Sequence, residues 1–166
     1  MRTSGRARAA TRSLALGTLL FLPPGAVLAG CHHGPGLSES ADQLRADTRA
    51  MLASAAGRLG PPGARPRVLL DTLRPCTGGR ARRLFRAEVP LRPSADREVL
   101  LDRATDLSLS TITARGYRLE APPHGRSPRV FTMTHDLPAV TVTVRLWSGR
   151  RPAMRFDART PCLARS

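Results

Sequence analysis

Lysine is missing from this chain. All 27 of its basic residues are Arg, they face only 12 acids, and the formal net charge is +15. Without Lys there is no Ser-x-x-Lys nucleophile, and no Gly-x-Ser-x-Gly elbow, His-Glu-x-x-His pair or Gly-rich phosphate loop occurs either. Aromatic residues make up 4% of the sequence, so no stacking array for single-stranded nucleic acid is present. No internal repeat and only one long uncharged stretch exist, which excludes collagen, coiled-coil and multi-pass membrane architectures. What is present suits one folded domain: 166 residues, 41% hydrophobic, with an aliphatic core and 15 Pro to stiffen its connections.

The first thirty residues have a separate logic. Residues 1–12 carry four Arg and no acid, and residues 13–22 form an uncharged, Leu-rich run. Pro23-Pro24-Gly25 breaks that run, and small residues lead into Cys31. A basic start, a short apolar run and small residues at the end make a secretory signal peptide. Ten residues are too few to span a bilayer, and the Pro pair interrupts any longer helix.

Leu28-Ala29-Gly30-Cys31, placed directly after the apolar run, resembles the lipobox of bacterial lipoproteins. The resemblance implies cleavage before Cys31, a diacylglyceryl group on its sulfur, and anchoring on the extracytoplasmic face of the cell membrane. Two acyl chains give stable attachment where one gives only marginal binding. A short tether, a helix, alternating strands, a mid-chain Cys and a late Thr160-Pro161-Cys162 are also similar to small lipoproteins of high-GC Gram-positive bacteria. Residues 1–30 are then a cleaved signal, 31–37 a tether, and 38–166 a single domain.

With Cys31 lipidated, Cys76 and Cys162 remain as a pair in an oxidising compartment, where a disulfide is expected. No Cys-x-x-Cys and no His near Cys76 suggests redox or metal chemistry instead. Helical periodicity predicts a first helix over 39–59, opened by a Ser40/Gln43 capping box. Leu44, Thr48, Met51, Leu52, Ala55 and Leu59 face the core, and Asp42, Arg45, Asp47 and Arg49 face solvent. A second helix is expected after Pro93, capped by Ser94, with Leu100, Ala104, Leu107 and Thr111 inward.

Strands are predicted over 67–74, with Leu on both phases and hence buried on both faces, and over 84–92. Further strands cover 117–121, 129–135, 139–147 and 154–159. The order α-β-β-α-β-β-β implies an α+β two-layer sandwich, a mainly antiparallel sheet with two helices on one face.

Charge is distributed unevenly. Residues 65–92 and 126–166 each hold eight Arg and two acids, whereas the helical segments are nearly neutral. On the strands, the outward phase collects Arg86, Arg92, Arg145, Trp147, Arg155 and Arg159, with Glu88 and Asp157 as the acids among them. This open face is expected to meet anionic envelope polymers or lipid headgroups; an extracytoplasmic location disfavours nucleic acid. The function expected is non-enzymatic binding without cofactor or metal. Two alternatives are a small envelope hydrolase with a site near His135, beside Asp136, and a subunit of an envelope protein assembly.

Overall fold

The computed structural model describes residues 36–164. The signal-like stretch, Cys31 and the tether as far as residue 35 lie outside them. The elements are α1 (Leu37–Leu59), β1 (Arg67–Pro75), β2 (Arg80–Pro90), α2 (Arg97–Thr113), β3 (Arg118–His124), β4 (Arg129–Asp136), β5 (Ala139–Trp147), β6 (Ala153–Arg159) and the short β7 (Leu163–Ala164). Every strand pairing is antiparallel, in the order β1-β2-β6-β5-β4-β3, with β7 paired to the start of β2. After β2 the chain crosses through α2 to the far edge and returns strand by strand until β6 lies beside β2. This is the expected α+β sandwich, with both helices packed on one face of the sheet.

Strict alternation builds the interface between the layers. Phe85, Ala87 and Val89 of β2, Val140, Val142, Val144 and Leu146 of β5, and Met154, Phe156 and Ala158 of β6 are all buried toward the helices. At about 25 cal/mol per Å² of apolar area removed from water, this surface is the main source of cohesion. The α1 stripe predicted from periodicity meets it, with Leu44, Met51, Leu52 and Ala55 in the core.

Four local readings are corrected. First, α1 begins at Leu37, which is itself buried, so the tether ends earlier than residue 37; its N-cap is Gly36. Ser40 is not a cap: it lies inside the helix, buried, and its hydroxyl lacks a partner among the described residues. Second, Asp96, not Ser94, caps α2, its Oδ1 accepting the backbone N–H of Glu98 at 3.0 Å and of Val99 at 3.1 Å. Asp96→Ala is therefore expected to lower unfolding stability by about 1 kcal/mol, measurable in urea, while Ser94→Ala leaves it unchanged. Third, α2 turns Leu101, Ser108 and Ile112 fully inward, and Leu107 and Thr111 are only half-buried. Fourth, β1 is not buried on both faces. It is the edge strand beside β2, and Val68 is 51% exposed.

The two ends of the sandwich differ. Leu37 and Ala41 at the start of α1 line a cavity with Leu73 and Arg83, at the end of β1 and the start of β2. At the other end, the carbonyl of Leu59 accepts the N–H of Arg92, just past β2. The first helix thus runs alongside β2 in the same direction. One end of the domain gathers the start of α1, the β1–β2 loop, the β4–β5 hairpin turn and the close of β6. Cys76 and Cys162 are disulfide-bonded there, as expected, with Cα atoms 6.1 Å apart.

Candidate anion-binding surface

Register decides what the open face presents. Glu88 lies directly across from Arg155, Arg86 across from Asp157, and Arg145 across from Arg155. The two acids are thereby embedded among arginines. Glu88 accepts two bonds from Arg155, at 2.6 and 3.1 Å, and lies 3.6 Å from Arg67. Asp157 binds both Arg86 and Arg145. The Arg155 guanidinium also stacks 4.9 Å above the Trp147 ring. The expectation of a freely basic central face is therefore corrected: Arg86, Arg145 and Arg155 are held by carboxylates, and Trp147 is covered by one of them.

Arg92 does not belong to this face. It follows β2, and its Nη2 donates to the Gly60 carbonyl at 3.3 Å, at the C-terminal end of α1. A cation suits that position, because the last carbonyls of a helix carry partial negative charge.

Of the six residues predicted, Arg159 keeps an exposed guanidinium with no acidic partner among the described residues. Three arginines that sequence reasoning left in a turn or passed over join it. β2 begins at Arg80, four residues earlier than its alternation suggests. The pattern is masked by Arg83, which turns to the helix side and bonds Asp71 at 2.5 Å. Arg80 and Arg82 consequently share the phase of Arg86, and Arg74 of β1 lies directly opposite Arg82. Arg74, Arg80 and Arg82 are exposed and make no ion pair among the described residues. On the open face, the unpaired arginines thus all sit at the disulfide end.

A groove of about 590 Å³ opens beside them, lined in part by Arg82, Arg159, Thr134, Thr141 and Cys162. Thr134 and Thr141 face each other across β4 and β5, and Arg159 lies opposite Thr141. Guanidinium forks and hydroxyl donors along one wall form a donor-rich surface suited to phosphate or carboxylate.

His135 also borders this groove, but its ring serves the fold. Nδ1 lies 3.2 Å from the Pro138 carbonyl, and the ring tilts against Tyr117 at a centroid distance of 5.1 Å. Gly116, at φ +84°, lets it approach; a Cβ there would sit 3.1 Å from Nε2. Asp136 does not orient His135. It points to the opposite face and takes both bonds from Arg118 Nη2, at 2.8 and 2.7 Å.

Behind the groove lies a group that sequence reading placed in solvent. Asp47 is 1% exposed and accepts Gln43 Nε2 at 2.8 Å, Arg115 Nη1 at 2.9 Å and the Tyr117 hydroxyl at 3.0 Å. Burial, reinforced by the Asp47 charge and its hydrogen bond, holds the Tyr117 phenol well above its ordinary range, and Arg115 opposes this in part.

No set of three or more His, Cys, Asp or Glu side chains that could hold a metal occurs among the described residues, and no described helix is long and apolar enough to cross a membrane. Comparison of the chain with models of protein families, with curated proteins and with solved structures finds no match.

Proposed function

We propose that this chain is the precursor of a lipoprotein, anchored through Cys31 on the extracytoplasmic face of a bacterial membrane, whose folded domain binds anionic groups and performs no catalysis. The observation that carries the binding reading is the set Arg74, Arg80, Arg82 and Arg159 beside the groove at the disulfide end. Like charges directly opposite on neighbouring strands destabilise a sheet, and Arg74 and Arg82 are such a pair. A bound oxyanion would offset that repulsion and accept the guanidinium donors.

The anchor rests on Leu28-Ala29-Gly30-Cys31 and the basic, then apolar, run before it. Cys31→Ala is expected to release the protein from membranes or leave an unprocessed precursor. Unchanged size and retention would defeat the anchor. For binding, Arg82→Gln with Arg159→Gln is expected to weaken association of the detergent-solubilised protein with a glycerol-phosphate polymer by about tenfold or more, and salt should weaken it further. An affinity indifferent to both changes would defeat the binding reading.

A further inference from the structure

Three features meet at one end of the domain. The first is the tether. Cys31 precedes Leu37 by six residues, which bounds their separation at about 20 Å even when fully extended. The start of α1 lies at the disulfide end, so a lipid on Cys31 would keep that end close to the bilayer.

The second is charge. Arg74, Arg80, Arg82 and Arg159 are unpaired there among the described residues. Three of the acids nearby are already bonded to Arg: Asp42 to Arg45, Asp71 to Arg45 and Arg83, and Asp136 to Arg118. Glu39, in the first turn of α1, makes no such bond among the described residues.

The third is an apolar tip. Asp136 pairs with Ala139, so Leu137-Pro138 forms the turn of the β4–β5 hairpin, and Leu137 is 73% exposed, the most exposed large hydrophobic residue described. A single exposed Leu is ordinary. A Leu at the tip of a hairpin that forms one wall of a basic groove, at the end the tether holds, is a different arrangement.

We infer that the disulfide end docks on the anionic headgroup layer of the membrane to which the protein is tethered, with Arg74, Arg82 and Arg159 on phosphates and Leu137 reaching the acyl boundary. This rests on the lipid anchor proposed above and names the anionic partner. A soluble polymer would satisfy the arginines equally well but gives Leu137 nothing apolar to enter; a bilayer satisfies both. Docking in this orientation would turn the far end, with Arg126, Arg150 and Arg151 in its loops, toward the envelope.

Orientation can be read directly. Trp147 is the single Trp, so Leu137→Trp on a Trp147→Phe background places one reporter at the tip. The full processed protein is reconstituted into vesicles of phosphatidylcholine with or without phosphatidylglycerol, including brominated acyl chains as quenchers. Strong quenching is expected only with phosphatidylglycerol. Arg74, Arg82 and Arg159→Gln together should lower the docking equilibrium constant by about a hundredfold, at the worth of a cation near an anionic surface. The same charge change at Arg126, Arg150 and Arg151 should leave quenching in place.

An unquenched reporter on protein whose mass shows lipidated Cys31 overturns the docking alone, and equal loss from both triple variants reduces it to net charge and overturns it too. Quenching that persists on protein with unmodified Cys31 removes the anchor and leaves the docking surface standing.

Discussion

Asp47→Ala is expected to lower the unfolding free energy of the domain by about 3 kcal/mol in urea titrations, with unchanged secondary structure in far-ultraviolet circular dichroism. The magnitude follows from what the carboxylate satisfies. It is almost wholly buried and accepts three donors, and two of them, Arg115 and Tyr117, come from the segment that links α2 to β3. Removing it orphans the buried Tyr117 hydroxyl, which alone costs about 1–3 kcal/mol, and leaves a void beneath α1. Arg115 retains 39% exposure and can turn toward water, which keeps the loss below that of a fully buried pair.

Tyr117→Phe should cost less, about 1 kcal/mol, and the Asp47/Tyr117 double variant should fall short of the sum of its parts, because both remove one hydrogen bond. The raised phenol adds a pH signature. In the unfolded chain Tyr117 loses its proton near pH 10, whereas in the folded protein it holds the proton to higher pH. Stability is therefore complete below about pH 10 and falls as pH rises above it, since the folded state then binds the extra proton. Tyr117→Phe should remove that component of the alkaline loss. If Asp47→Ala left stability within about 0.5 kcal/mol, as surface substitutions do, the carboxylate would not be the tie between α1 and this corner.

Loss of the disulfide is expected to have a larger effect. Cys76→Ser with Cys162→Ser should reduce stability by about 4–5 kcal/mol in the chain-entropy account, because the link closes an interval of 86 residues in the unfolded chain. The effect should also be local. Among the described residues, β7 is held to the sheet by two register pairs, Arg80 with Ala164 and Ala81 with Leu163, and the bond at Cys162 fixes the segment that leads into it. Pro161 and Cys162 also form a wall of the groove beside Arg82. Reduction should therefore raise amide exchange around residues 161–164 before the sheet opens, and weaken anion binding in parallel. A transition midpoint unmoved by reductant, with both thiols shown to be free, would refute the stabilising role.

The central strands were legible from local pattern. β5 reads Val-x-Val-x-Val-x-Leu and β6 reads Met-x-Phe-x-Ala, and a strand with one buried face writes its orientation into every second residue. The α1 stripe was legible for the same reason at helical period. The pairing of Cys76 with Cys162 followed from their number and expected compartment. Three of the corrected readings lie at places where local pattern carries no signal. Val68-Leu69-Leu70 looks like a fully buried strand, yet whether a strand lies at the centre or the edge of a sheet depends on the path of the whole chain. Asp47 looks like one more charge on a polar helix face; its partners Arg115 and Tyr117 lie 68 and 70 residues away. Arg80 and Arg82 look like turn residues, because Arg83 breaks the alternation to reach Asp71.

Composition and periodicity by themselves determined an Arg-only basic chain, two helices, alternating strands and an α+β sandwich, because burying one face of each element is a local requirement. Which of the arginines remain available was decided by tertiary structure alone. Ion pairs form between strands that register brings together, so Glu88 and Asp157 neutralise the centre of the face, and the unpaired charge of that face is left at the end where the disulfide, the hairpin tip and the start of α1 converge.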